Sequence, residues 1–321
     1  MAPDTSHQAS VAANLARFNA EFALRYDAQE ATIVLSSLFA KTLLEFNPHQ
    51  PRKSSEESNT VLGNLDPANL CGPDNSLPDT ASFTTKFPHS LFKPGMKLLD
   101  FACGTGLVTS KLIPYLVSDD ASVKTEVVGM DINQAFLAKF DEKLKGKSIP
   151  ANISANSYVY DVLDSKFEDE LQTQFGNKFD CIICTISYHH IDNYQKVTKK
   201  LTEFLAPGGW ILIIDFYNED AEFGLNGTKP KLNNDAVSHM GGLRLPALNE
   251  TLHDYCHLEN VSAAREYKCD IWQQGHFIDN HCTQDMIDKF HNGELPSKKN
   301  QFEEDLYLVQ VSIVMAVGQK L

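Results

Sequence analysis

A glycine turn at residues 104–106 (Gly-Thr-Gly) is the stretch whose residue types and spacing point most directly to chemistry. It follows residues 97–100 (Lys-Leu-Leu-Asp), which are typical of the end of a short buried strand, and it leads into a helix near Leu107. Because glycine has no Cβ, a ligand can approach this backbone closely, and the free N–H groups of a helix start bind polar or anionic groups. Asp100 stands at the carboxyl end of the strand, where ligands bind in parallel sheets. The turn therefore predicts a nucleotide-like ligand.

Two common nucleotide-binding motifs fit this turn poorly. The dinucleotide fingerprint G-x-G-x-x-G/A requires a third small residue, and this chain has Thr109 at that position. The lysine and hydroxyl pair of a phosphate-binding loop is absent as well. A nicotinamide-dependent oxidoreductase is therefore a weaker alternative.

Residues 100–106 (Asp-Phe-Ala-Cys-Gly-Thr-Gly) resemble motif I of class I S-adenosylmethionine-dependent methyltransferases, whose common form is D-x-G-C-G-T-G. Ala102 replaces the first glycine of that motif, and we expect a close cofactor contact to accommodate its one additional methyl group. The resemblance implies that the amino-acid end of S-adenosylmethionine is held by Asp100 and by the backbone of the turn, at Ala102, Cys103, Gly104 and Gly106.

Two later strands end in acidic residues. Residues 127–132 form a second strand ending at Asp131 and Ile132, and a carboxylate there can accept both hydroxyl groups of an adenosine ribose. The segment 157–164 resembles the third acidic position of the family, which implies that Asp161, with Val162 beside it, binds the adenine amino group. Asp164 is the second choice for that role. Each of these acids could also serve only as a turn residue.

A pair of histidines, His189 and His190, follows the fourth strand, 179–187, and resembles motif IV of the family. The resemblance places Thr185 in the cofactor site. A histidine whose pKa lies near neutrality can take a proton from a hydroxyl, phenol or amine acceptor, so both histidines are candidate catalytic residues. The candidate partners are His239 and Tyr26. The alternative is that either imidazole only packs or caps the next helix.

Strand, helix and strand recur from Leu98 to Phe216, and a Leu-x-Pro-Gly-Gly turn at 205–209 precedes the fifth strand. This pattern predicts an α/β, doubly wound, Rossmann-like fold. The resemblance implies a mostly parallel seven-stranded sheet with an antiparallel last strand near 306–316. Apolar periodicity from Ser10 to Phe46 predicts an N-terminal helical cap. We therefore divide the chain into a cap and polar linker, 1–92, and a methyltransferase domain, 93–321, with insertions at about 217–245 and 272–304.

Composition limits the classes of function. The formal net charge of −14 disfavours broad contact with nucleic acid, and no apolar run approaches the roughly 20 residues needed to span a bilayer. The first residues resemble no secretory signal, and seven cysteines without a framework pattern predict a reducing compartment, the cytoplasm. Cys181 and Cys184 have the spacing of a redox or metal-binding pair, but residues three apart on a strand lie on opposite faces, which disfavours that interpretation. The histidines and cysteines between 253 and 282 lack the paired spacing of a zinc site, so no metal is predicted.

The sequence thus predicts a methyltransferase that uses S-adenosylmethionine and a small-molecule acceptor. A Tyr-Asp pair at Tyr26 resembles the entry segment of the quinone-biosynthesis type, which closes over the cofactor. The fourth strand lacks the Asn/Asp-Pro-Pro-Tyr/Phe motif of amide and exocyclic amine methylation, which makes a nucleic-acid acceptor unfavourable. A protein methyltransferase and an inactive cofactor-binding regulatory protein remain alternatives. The acceptor atom and the oligomeric state are left open.

Overall fold

The computed structural model of the protein describes residues 5–54, 56–65, 76–145, 149–222 and 236–321. Within these residues the strands form one nine-stranded sheet. The strands are β1 Val61–Leu65, β2 Lys97–Phe101, β3 Thr125–Asp131, β4 Ile153–Val159, β5 Phe179–Thr185, β6 Leu205–Tyr217, β7 Glu259–Gln273, β8 Ser297–Lys299 and β9 Asp305–Gln319.

Helices precede and connect these strands. They are α1 Thr5–Arg17, α2 Ala20–Tyr26, α3 Glu30–Glu45, α4 Phe83–Lys86, α5 Leu107–Leu112, α6 Gln134–Leu144, α7 Glu168–Phe175, α8 Tyr194–Phe204, α9 Glu219–Glu222, α10 Leu245–Glu250, α11 Gly275–His281 and α12 Gln284–His291. Short 3₁₀ turns occur at Ile113–Tyr115, Ser165–Phe167 and Tyr188–His190, and a π-helical turn follows α10 at Thr251–Tyr255. No helix in the part of the chain that the structure describes is long and apolar enough to cross a bilayer.

The strand order is β1-β7-β9-β6-β5-β2-β3-β4, with β8 paired to β9. Strands β2 to β6 are mutually parallel, whereas β9 runs antiparallel to both β6 and β7. The predicted α/β class and the antiparallel last strand are thereby confirmed. The chain leaves β2 toward β3 on one side and returns to β5 on the other. This reversal creates a crevice at the carboxyl ends of β2 and β5, where doubly wound sheets bind ligands.

Two short strands extend the predicted seven. Strand β1 lies within the predicted polar linker and pairs in parallel with β7, where Val61 is opposite Lys268. Strand β8 lies within the predicted insertion at 272–304 and pairs with the end of β9. Of the predicted insertion at about 217–245, residues 223–235 lie outside the described residues, as do 66–75 of the linker. The domain boundaries themselves stay a prediction.

Both faces of the sheet are buried. One face packs under α3, α5 and α6 and the other under α7, α8 and α10, so most residues of the central strands meet apolar neighbours. Cys181 and Cys184 are fully buried in different clusters, on opposite faces of β5. This placement follows from the two-residue repeat of a strand.

The turn after β2 holds three residues with positive φ, namely Ala102 at 54°, Gly104 at 55° and Gly106 at 75°. A side chain at such a φ costs roughly 1–2 kcal/mol. We expected the alanine at position 102 to matter through the volume of its methyl group. Its free-energy cost lies instead in the left-handed backbone conformation, which a glycine would adopt freely.

We predict that Gly106→Ala destabilises the protein more than Gly208→Ala. Both glycines have positive φ, at 75° and 80°, so each substitution incurs roughly 1–2 kcal/mol of backbone strain. A Cβ at Gly106 would lie 2.6 Å from the ring of Phe140, whereas a Cβ at Gly208 would meet nothing within 4 Å. Overpacking should add about 1–3 kcal/mol at Gly106 alone. Equilibrium unfolding in denaturant measures both, and equal losses would contradict this packing argument.

Candidate active site

A cavity of about 340 Å³ opens at the carboxyl ends of β2 to β5. Its walls are the loops that follow these strands, the N-terminal helices α1 to α3, and α11. The structure brings most of the predicted site residues to this wall: Tyr26, Ala102, Cys103, Gly104, Asp131, Ile132, Asp161, Val162, Thr185, His189 and His190. It does not bring Asp100, Gly106 and His239 there.

Asp131, the last residue of β3, is buried at the floor of the cavity. Its Oδ2 accepts a hydrogen bond from the backbone N–H of Gly104 at 2.9 Å, and its Oδ1 accepts one from the N–H of Asn133 at 2.8 Å. Burial raises the pKa of Asp131 to about 6, and the backbone donors oppose that rise. The carboxylate thus ties the glycine turn to the end of the neighbouring strand.

Asp100 and Gly106 lie behind the wall. The hydroxyl of Thr109 donates to Asp100 Oδ2, and Asp100 Oδ1 has no hydrogen-bond partner among the described residues. Burial raises the pKa of Asp100 to about 7, and the charge of Asp131 adds to that effect. Gly106 precedes α5, and a Cβ added to it would meet Phe140. Neither residue lines the cavity, and their predicted contacts with a cofactor stay predictions.

The carboxylate of Asp161, which follows β4, has hydrogen-bond partners within the protein. Its two oxygens lie 2.9 and 3.0 Å from Nε2 of His7, and Oδ1 also accepts the N–H of Leu163 at 3.0 Å. His7 belongs to α1 and is buried. Sequence reasoning missed this residue, since nothing local to His7 marks a partner more than 150 positions away.

The N-terminal helices contact all four loops that follow β2, β3, β4 and β5. Each loop shares at least one hydrogen bond with this cap, and the pairs in strand order are Thr105 with Asp27, Asn133 with Phe18 O, Asp161 with His7, and His190 O with Ser10 and Asn14. Ser6 also donates to Asp192 in the loop after β5. The cap therefore lies across the carboxyl edge of the sheet, and its closure over a cofactor stays a prediction.

Tyr26 contributes an aromatic wall. Its ring centroid lies 5.3 Å from that of Phe136, and Phe22 packs beside both rings. Burial, followed by the charges of Asp27 and Asp131, raises the pKa of Tyr26 to about 12. The phenol is therefore protonated at neutral pH and can donate a hydrogen bond but cannot act as a base.

His189 is held by a carboxylate that sequence reasoning missed. Its Nδ1 lies 2.7 Å from Oδ1 of Asp215, whose Oδ2 accepts the backbone N–H of His189 at 3.1 Å. Both side chains are buried, and Asp215 is 0% exposed. In the neutral ring, Nδ1 donates to the carboxylate and Nε2 is the nitrogen without a proton. The signal for Asp215 was present in the sequence, since an acid inside the apolar strand 210–216 requires a buried partner.

The other two predicted histidines support the loop after β5. His190 Nδ1 donates to the carbonyl of Ala236 at 2.5 Å, and burial, with the adjacent His189 ring, holds the pKa of His190 well below its usual range. His239 Nε2 donates to the carbonyl of Ile191 at 3.0 Å. His190 therefore lines the cavity as an uncharged ring. His239 does not line the cavity and instead supports the loop after β5 through its hydrogen bond to Ile191.

Helix α11, within the predicted insertion, adds a wall that the sequence did not reveal. His276, Phe277, Asn280 and His281 of this helix line the cavity, and the ring of His281 lies 4.9 Å from that of His189. Among the described residues, no three His, Cys, Asp or Glu side chains are grouped to hold a metal ion.

Comparison with known proteins identifies the class of this domain. Residues 99–211 match the family model described as a methyltransferase domain. The chain is 28% identical over 264 residues to an uncharacterized methyltransferase of Schizosaccharomyces pombe, covering 82% of this chain and 84% of that protein. It is 34% identical over 124 residues to the ubiquinone/menaquinone biosynthesis C-methyltransferase UbiE of a Shewanella species, covering 39% of this chain and 44% of that enzyme. The predicted methyltransferase is thereby confirmed.

Two solved structures have a similar arrangement. The plantazolicin methyltransferase BamL has a TM-score of 0.48 at 15% identity, covering 98% of this chain and 97% of that one. The YcgJ protein of Bacillus subtilis has a TM-score of 0.45 at 15% identity, covering 71% of this chain and 93% of that one.

We predict that His7→Ala loosens α1, whereas His291→Ala does not. Each substitution removes a histidine that lies 2.9 Å from an aspartate, but His7 is buried and His291 is 60% exposed. Exposed pairs contribute little, while loss of the buried pair leaves the carboxylate of Asp161 without its side-chain donor. Amide hydrogen exchange of residues 5–17 should accelerate at least about tenfold in His7→Ala, which corresponds to about 1.4 kcal/mol. Unchanged exchange there would contradict the anchoring role of His7.

Proposed function

We propose that this chain, with a class I S-adenosylmethionine-dependent methyltransferase domain at residues 99–211, methylates a small molecule enclosed beneath its N-terminal cap. One observation carries the proposal. A single cavity joins the buried carboxylate of Asp131 to the imidazole of His189, so that a nucleoside site and a proton acceptor share one enclosed space.

The residues present fit the cofactor. Each oxygen of Asp131 accepts one backbone N–H, and a carboxylate has about four lone-pair sites, so two remain for the two ribose hydroxyls. Asp161 and Val162, with Ile132 nearby, line the neighbouring end of the cavity, which suits adenine. The backbone of Ala102, Cys103 and Gly104 and the side chain of Thr185 would hold the amino-acid end.

The bound cofactor supplies a methyl group already activated on a sulfonium, so the chain need only align the acceptor and take up a proton. His189 Nε2 is the group placed for that proton when the acceptor reacts through O–H or N–H. Asp215 keeps the ring in the required tautomer and stabilises the imidazolium that forms. The cap excludes water from the site.

Several features favour a small molecule over a macromolecular acceptor. The cap lies across all four loops, so a protein segment or a nucleic acid would have to reach the cavity past these helices. The net charge of −14 is unfavourable for contact with phosphates. The UbiE enzyme acts in quinone biosynthesis, but its alignment spans less than half of its length, so the acceptor here stays unassigned. The six described cysteines are free, which supports a reducing compartment, and we propose the cytoplasm.

The rival nicotinamide-dependent activity is not supported. Thr109, which replaces the third small residue of the dinucleotide fingerprint, is fully buried and donates to Asp100. It therefore belongs to the core under the turn. A regulatory protein that binds the cofactor without turnover is separated from an enzyme only by the second experiment below.

We predict that S-adenosylmethionine and S-adenosylhomocysteine bind, that NAD does not, and that Asp131→Ala weakens binding. Loss of charge-assisted hydrogen bonds to the ribose, worth roughly 1.5–3 kcal/mol, should lower affinity about 10- to 150-fold. Asp164→Ala is the matched control, because Asp164 does not line this cavity and its carboxylate caps the turn at 165–167 and pairs with Lys166. Titration calorimetry measures all three ligands. Saturation with NAD alone, or equal affinities in both variants, would overturn the assignment.

We predict that His189→Gln lowers turnover about 10²- to 10⁴-fold while cofactor affinity is retained. Asp215→Asn should lower turnover as well, because it replaces the charged acceptor of His189 Nδ1–H with a neutral amide that cannot stabilise an imidazolium to the same extent. His253→Gln is the control, since it breaks a His–Asp pair, with Asp254, that is exposed. Labelled S-adenosylmethionine incubated with a metabolite extract yields the acceptor and the assay. Full activity of both variants would show that alignment alone drives transfer.

A further inference from the structure

Asn280 of α11 carries a buried acceptor with no partner. The residue is 6% exposed and lines the cavity. Its Nδ2 donates to the carbonyl of His276 at 2.7 Å, which fixes the orientation of the amide because only the NH₂ side can donate. Oδ1 then has no hydrogen-bond partner among the described residues. A buried acceptor left unpaired is costly, so this oxygen points to a ligand that donates to it.

The surroundings of Asn280 are aromatic. The next residue, His281, packs its ring at 4.6 Å from Phe277 and 5.5 Å from Phe216, and the rings of Phe216 and Phe277 lie 5.1 Å apart. His281 Nδ1 is also buried without a partner among the residues that the structure describes. Phe216 and Phe277 pack edge to face and His281 is tilted against both, so that flat rings beside two polar atoms suit a planar ligand body.

The charges around this part of the cavity favour an uncharged ligand group. Burial lowers the pKa of both His276 and His281, so their rings are uncharged at neutral pH. Among the described lining residues, the only Lys or Arg is Arg17, which is exposed and whose charge adds to the lowering of the pKa of His276. The lining acid Glu30 is paired with Lys298. A carboxylate or phosphate would therefore find one exposed cation, Arg17, and no charged histidine on α11.

We propose that Asn280 anchors the methyl acceptor by accepting a hydrogen bond from its O–H or N–H group, with the acceptor ring against Phe277 and His281. This proposal rests on the proposed function and assigns a substrate class, an uncharged aromatic molecule with a hydrogen-bond donor. Asn280 is thus a specificity-determining residue of the acceptor site, distinct from the cofactor contacts at Asp131.

The test uses two pairs of probes that differ in one donor: phenol against anisole, and indole against 1-methylindole, with benzoate as the anionic arm. Binding to the full chain saturated with S-adenosylhomocysteine is measured by ligand-observed NMR, after calorimetry has established that this cofactor product binds. Failure of the cofactor to bind overturns the proposed function, whereas the probe comparison reports on Asn280 alone.

We expect the wild type to bind the donor-bearing member of at least one pair 5-fold or more tightly, and benzoate more weakly than phenol. Asn280→Leu, which keeps a similar volume without an acceptor, should reduce the preference below about 2-fold at unchanged cofactor affinity. Asn280→Ser retains an acceptor oxygen and should keep part of the preference, which separates recognition from loss of folding. Equal binding of both members by the wild type, no binding of any probe, tighter binding of benzoate, or a preference that survives Asn280→Leu would overturn the proposal.

Discussion

Three carboxylates buried near the ends of parallel strands impose the constraint on which this site depends. Asp100, Asp131 and Asp215 lie in β2, β3 and β6, and each is less than a tenth exposed. A buried charge requires partners, and the chain supplies a different one to each: the Thr109 hydroxyl, backbone N–H groups and His189. These partners shape the glycine turn and the loop after β5, so the electrostatics of the sheet edge decide the form of the cavity.

The raised pKa values of Asp100 and Asp131 have a functional consequence. The pKa of Asp131 is raised to about 6 and that of Asp100 to about 7, chiefly because both are desolvated. A bound cation nearby favours their ionised forms, and the proposed cofactor carries one positive charge on sulfur. The free energy that burial of these acids costs the folded protein is thus partly recovered when the proposed ligand binds. Side chains with strongly shifted pKa values commonly cluster at functional sites.

The cap and α11 complete the site from two distant parts of the chain. The N-terminal helices make hydrogen bonds to each of the four loops, and α11 adds aromatic rings and an amide oxygen without a partner among the described residues. The loop after β5 receives three of these hydrogen bonds, from Ser6, Ser10 and Asn14. The proposed cofactor contacts therefore lie on the loops of the sheet, whereas the proposed acceptor contacts lie on α11.

The sequence by itself determined the class of fold, the glycine turn, the acid that ends β3, the acid that follows β4, and the histidine pair after β5. These features are local, since a strand, a turn and a helix start are read within a few residues of each other. Only the tertiary structure decided that Asp100 and Gly106 lie behind the wall, that His189 is paired with Asp215, and that His7 and Asn280 complete the cavity. It also decided that β1 and β8 join the sheet, although these segments are only five and three residues long. These outcomes depend on packing between residues far apart in the chain, such as His7 and Asp161 at a separation of 154, which no local pattern records.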